Sequence, residues 1–111
     1  MNISFSVILM NSLNDINSME IPNGNVVIEF YSHRCKSCEI ISKFLEEILK
    51  EFKDIKFIKV NVLENREVAR SFGVIALPVI VALKDGVEVG RLKGAKTKRE
   101  IESFLREVFG V

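Results

Sequence analysis

The sequence predicts an α/β fold, a mixed central β-sheet with helices on both faces. Three observations lead there. Apolar, β-rich runs at 26–31, 55–62 and 79–83 have the length and composition of strands. Between the first two lies a stretch from about Glu39 to Phe52 whose apolar residues recur at helical spacing. Asp85-Gly86 falls between two further β-rich runs, the composition of a tight antiparallel hairpin.

Taken in order, residues 3–9 alternate loosely and include β-branched types, which fits an edge or second-layer strand. Ser12-Leu13-Asn14-Asp15 reads as a helix start, giving a short helix that stops before Pro22-Asn23-Gly24. Val26 to Tyr31 is apolar on both faces except for Glu29, as expected of a parallel strand covered on both sides. The helix after it carries Ile40, Ile41, Phe44, Leu45, Ile48, Leu49 and Phe52 as a wide apolar stripe. Ile55 to Val62 is the next buried strand. Glu64 to Phe72 makes a short helix with Val68, Ala69 and Phe72 inward, and Gly73 stands at its C-cap. Pro78 precedes the strand of Val79 to Leu83, and Val87 to Leu92 pairs antiparallel with it. Thr97 and Glu100 form a capping box that opens a last helix, with Ile101, Phe104, Leu105 and Val108 inward. The order is β-α-β-α-β-α-β-β-α. Phe5, Phe30, Phe44, Phe57 and Phe104 are core residues on this reading.

At 111 residues the chain is expected to be one domain, 1–111, able to bury a core without staples. A net charge of +1 gives no electrostatic footprint for nucleic acid or an anionic membrane. The apolar run from Ile3 to Met10 has no positively charged segment before it and no small-residue cleavage site after it. It is also far short of the roughly 20 residues a spanning helix needs. A cytoplasmic location without membrane contact is expected. Two cysteines without export signals argue against a structural disulfide framework.

The chemistry concentrates in Cys35-Lys36-Ser37-Cys38. The motif lies where a strand gives way to a helix, with one sulfur at the helix N-terminus and the other a turn in. Residues at i and i+3 of a helix have Cβ atoms about 5–6 Å apart, a small adjustment away from disulfide geometry. Such a pair can open and close without the rest of the fold moving far, which is what a redox couple requires. At the helix N-terminus, backbone N–H groups and the dipole favour a thiolate at Cys35, and His33, Arg34 and Lys36 add positive charge around it. An incidental pair of core thiols is the bland alternative. A metal site is another, but zinc takes four ligands and the only histidine is His33, so a single chain cannot complete the set. No metal or other cofactor is expected.

Glu29-Phe30-Tyr31 ahead of the two cysteines, Lys59-Val60-Asn61, Leu77-Pro78 before a strand, Asp85-Gly86 and Gly94-Ala95 together resemble the thioredoxin family, over about Val26 to Val108. The resemblance implies a thioredoxin-like fold and a protein thiol–disulfide oxidoreductase that reduces substrate disulfides. Under it, Cys35 would be the nucleophile and Cys38 the resolving thiol. Pro78 would be a cis proline facing the disulfide, and Leu77 would offer backbone groups to an extended substrate segment. Glu29 stands where the family has a buried carboxylate, and desolvation would raise its pKa enough to take the Cys38 proton, directly or through water. Lys59, its neighbour in the family, would oppose that rise.

Tyr31, Arg34, Lys36 and Gly94 complete the expected substrate-binding rim. The implied partners are disulfide-containing protein substrates and a thioredoxin-reductase-like electron donor, with the chain itself a monomer. Three departures bear on partner choice and redox potential. Arg34 replaces the family's tryptophan before the first cysteine, a second, earlier aromatic position is Tyr31, and Lys36-Ser37 replaces Gly-Pro. A glutaredoxin-like enzyme, with glutathione or another small thiol held by a cationic rim, is the alternative that keeps the chemistry. A redox-inactive thioredoxin-fold binding module is the other, and the presence of both thiols argues against it.

Overall fold

The computed structural model describes residues 21–111 and the backbone of strand 7–10. The helix expected from Ser12, residues 3–6 and the core role of Phe5 lie outside the described residues. The elements are β1 (Val7–Met10), β2 (Asn25–Tyr31), α1 (Lys36–Leu49), β3 (Ile55–Asn61), α2 (Arg66–Ser71), β4 (Val79–Lys84), β5 (Val87–Lys93) and α3 (Lys98–Phe109).

The sheet runs β1-β3-β2-β4-β5. β3 is parallel to both β1 and β2, whereas β4 is antiparallel to both β2 and β5. β2 is therefore the central strand, and alternate side chains leave it for opposite faces. Val26, Ile28 and Phe30 join Ile58, Val60, Val79 and Val81 in one layer, against Ala69 of α2. Val27 joins Phe57, Ile80 and Ala82 in the other, against Ile41 and Leu45 of α1 and Ile101 and Leu105 of α3. Glu29 follows Val27 in this alternation, so a carboxylate enters an otherwise apolar layer.

Two helices have ends that their apolar stripes do not mark, and α1 starts where the cysteine motif places it. α1 begins at Lys36, three residues before Glu39, because Cys35 caps it: its sulfur accepts the Cys38 N–H. The helix ends at Leu49, which leaves Phe52 beyond it and half-buried. Ile40 does not join the apolar stripe and is 55% exposed. Ile41, Leu45 and Ile48, at i, i+4 and i+7, set the buried face, and Ile40 lies outside that arc. α2 is confined to Arg66–Ser71, with Phe72 as its C-cap and Gly73 at φ 69°.

The hairpin and the last helix follow their local chemistry. Asp85 and Gly86 both have positive φ, 51° and 84°, as a two-residue primed turn requires. Asp85 is further held by Gly24, whose N–H donates to Asp85 Oδ1 (2.7 Å). The capping box at Thr97 is present in both directions. At Gly90 an added Cβ would stand 2.9 Å from Phe104 Cε1 and from Val108 Cγ1, so β5 lies directly beneath α3 with no room for a side chain.

Candidate active site

The β2–α1 turn delivers the cysteines. Ser32 closes it, accepting the Cys35 N–H on its carbonyl (3.2 Å) and the Arg34 N–H on its hydroxyl (3.2 Å). Cys35 thereby takes an extended conformation at the N-cap of α1. Cys35 and Cys38 are joined in a disulfide, with Cα atoms 5.2 Å apart. The Cys38 N–H donates to Cys35 Sγ (3.2 Å), and Ser37 Oγ lies 3.5 Å from the same sulfur. Both contacts are of the kind that stabilises charge on sulfur. The two sulfurs differ in access: Cys35 is half-buried, whereas Cys38 is 1% exposed.

Of the expected positive surround, Arg34, Lys36 and His33 are all exposed. Neither Arg34 nor Lys36 forms an ion pair among the described residues, so their influence on Cys35 is open to salt screening. His33 instead sets its ring edge-on to Tyr31, 5.7 Å between centroids. The Lys59 ammonium lies 4.8 Å from the centroid of the same tyrosine ring.

Glu29 is fully buried. Its Oε2 accepts a hydrogen bond of 2.5 Å from the Ser42 hydroxyl, while Oε1 has no hydrogen-bond partner among the described residues. Lys59 is its register partner across the β2–β3 pair. Burial pushes the Glu29 carboxyl up to about 7 from its ordinary 4.5; the Ser42 hydrogen bond and the Lys59 charge pull against that rise, and Glu46 adds slightly to it. A carboxyl poised near neutrality can both accept and return a proton at physiological pH. Next to it an open groove of about 460 Å³ is lined by Cys38, Ser42, Tyr31, His33, Lys59 and Glu46, among others. Cys38, though 1% exposed, forms part of the wall of this groove.

A second unit forms at the start of β4. The Leu77–Pro78 peptide bond is cis, Pro78 is buried and Leu77 half-buried. Gly94 donates its N–H to the Pro78 carbonyl (2.8 Å) and takes φ 85°. Two residues before Leu77, Ile75 is 98% exposed.

Ser42 holds Glu29 in place, a role that the sequence reading missed, as it also missed the exposure of Ile75. Ser42 was legible in principle: it stands four residues after Cys38, between Ile41 and Leu45, a polar residue on an apolar stripe. Ile75 gave no such signal. Among the described residues there is no cluster of three or more His, Cys, Asp or Glu able to hold a metal. No helix there is long and apolar enough to cross a membrane.

Comparison with known proteins returns one consistent result. The family model described as thioredoxin matches residues 9–107. The thioredoxin of Bacillus subtilis is 34% identical over 91 residues, covering 81% of this chain and 88% of its own. The crystal structure of Schistosoma mansoni thioredoxin aligns with a TM-score of 0.80 at 28% identity, over 94% of this chain and 95% of that one. Oxidised mitochondrial thioredoxin 3 of Saccharomyces cerevisiae aligns with a TM-score of 0.79 at 26% identity, over 91% and 94%.

Proposed function

The chain belongs to the thioredoxin family and is a thiol–disulfide oxidoreductase, and on that premise we propose how its residues divide the work. Cys35 is the attacking thiolate. It opens a substrate disulfide, bonding to one sulfur while the other leaves with the electron pair as a thiolate. Cys38, once deprotonated, attacks Cys35 Sγ, closes the Cys35–Cys38 disulfide and expels the second substrate thiolate. Two electrons pass to the substrate, and a reductase of the thioredoxin-reductase type restores the dithiol.

The observation that carries this division is the N-cap geometry, in which the Cys38 N–H and the Ser37 hydroxyl both sit on Cys35 Sγ. The same donors stabilise a thiolate when the disulfide opens, and the half-buried Cys35 is the sulfur a substrate can reach. Glu29 takes the Cys38 proton, a role its near-neutral pKa suits, and Lys59 restrains that pKa. Leu77, Pro78, Gly94, Tyr31, Arg34 and Lys36 form the rim that receives an extended segment of a protein substrate. The enzyme acts as a single monomeric domain in the cytoplasm.

Replacing Cys38 with Ser tests the division. The variant should accumulate a stable mixed disulfide through Cys35 on incubation with an oxidised protein substrate, visible by mass spectrometry, whereas Cys35→Ser should trap none. Trapping through residue 38 in the second variant would reverse the assignment. Insulin reduction should run faster with a thioredoxin reductase and its nicotinamide donor than with glutathione. The opposite order would reassign the electron donor to a small thiol.

A further inference from the structure

We propose that the Ser42 hydroxyl is the bridge between Cys38 and Glu29: it fixes the carboxyl and relays the Cys38 proton to it. The inference rests on the reading of Glu29 as the proton acceptor and goes beyond it by naming the route.

Three observations support the bridge. Ser42 is four residues after Cys38 on α1, so the two side chains share a face, and both line the same groove. Ser42 is buried and donates its only proton to Glu29 Oε2 at 2.5 Å. A hydroxyl keeps two acceptor lone pairs after donating, and no donor occupies them among the described residues. Finally, the other carboxyl oxygen has no partner there, so the Ser42 contact alone orients the acid. Packing gives no reason for this serine. It interrupts an apolar stripe between Ile41 and Leu45, where alanine would fit the helix better.

The step balances as follows. A solvent molecule in the groove accepts the proton of Cys38 Sγ and passes one of its own to Ser42 Oγ, while Ser42 passes its hydroxyl proton to Glu29 Oε2. Serine and water end as they began, Glu29 is neutral, and Cys38 is a thiolate. Its electron pair forms the bond to Cys35 Sγ, and the Cys35–substrate bond breaks toward the departing thiolate. The charged and titratable groups around Glu29 and its groove are Glu39, Lys43 and Glu46 on α1, Lys59 on β3, Tyr31 on β2 and His33 on the turn after β2. None offers a hydroxyl on the helix face that carries Cys38. Removing the Ser42 O–H also removes a donor that favours the charged carboxylate, so Glu29 should hold its proton to higher pH.

The reduced protein is mixed with Ellman's reagent in stopped flow across a pH series. The first thionitrobenzoate released reports attack by Cys35, and the second reports resolution by Cys38. In Ser42→Ala the second release should slow by about tenfold or more on its high-pH plateau, with its midpoint displaced to higher pH and the first release unchanged. Ser42→Thr, which keeps the hydroxyl, should restore both. A Ser42→Ala profile that matches wild type, or a displaced midpoint with an undiminished plateau, would overturn the relay. Glu29→Gln separates this from the parent reading: a slow second release there with normal Ser42→Ala kinetics removes only the bridge. A normal second release in Glu29→Gln removes both.

Discussion

Replacing Glu29 with Gln deletes an ionisable group that the fold holds against its preference for charge. The side chain keeps its shape and can still accept from Ser42, so the main change is the lost titration. Burial carries the carboxyl from 4.5 to about 7. Each pH unit of displacement corresponds to about 1.4 kcal/mol, so this one residue should account for roughly 3 kcal/mol of pH-dependent stability. Below about pH 4.5 the folded and unfolded chains both carry the proton and there is no penalty. As pH rises toward 7 the unfolded chain releases the proton while the folded chain retains it, so stability is lost through that window. Above the folded value the loss is complete.

Glu47, Glu88 and Glu100 are displaced the other way, chiefly by hydrogen bonds from Lys98, Arg91 and Thr97 respectively. They sit at the surface, where solvent screens them, and they are common to both proteins. They therefore cancel in the difference. Urea unfolding of oxidised wild type and Glu29→Gln at fixed ionic strength, repeated through the window, measures that difference. It should swing by roughly 3 kcal/mol in favour of the variant as pH rises. A flat difference would show that Glu29 ionises in the folded protein as it does in the unfolded chain, and the reasoning from burial would fail.

Two further predictions follow from neighbouring contacts. Lys59→Met removes a charge that lowers the Glu29 pKa, so the inflection in the unfolding difference and the midpoint of the Cys38 step should both move to higher pH; unmoved values would mean that the register pair is electrically silent. Gly90→Ala places a methyl group 2.9 Å from Phe104 and Val108, which should cost about 1–3 kcal/mol in urea unfolding. Wild-type stability in that variant would mean that α3 yields to it without loss.

The parts of the fold that local chemistry dictates were legible in the sequence. Asp85-Gly86 announced its turn because few residue pairs tolerate two positive φ values, and Thr97 with Glu100 announced a helix start through reciprocal hydrogen bonds. The start of α1 was legible from the motif, which put Cys35 at the helix N-terminus and Cys38 a turn in, as the cap shows; the apolar stripe alone begins only near Glu39. The two sulfurs could be read from the motif, and the burial of Glu29 from the family resemblance and from a strand apolar on both faces, with exposure at a sheet edge as its alternative. The partner that orients Glu29 could not, because a hydrogen bond between residues 29 and 42 depends on how α1 lies across β2. Arg34 and Lys36 read from the sequence as exposed, screened charges, and the structure places both at the surface. Ile75 reads as one more apolar residue until the chain is folded and leaves it 98% in solvent.

The most direct test of the whole scheme is competitive alkylation of the fully reduced protein at mildly acidic pH, followed by peptide mapping. Modification at Cys35 with Cys38 left intact is the expected pattern, since one sulfur rests on N–H and hydroxyl donors at the N-terminus of α1 and the other is 1% exposed, too buried for a reagent to reach. Equal labelling of the two positions, or faster labelling of Cys38, would contradict it.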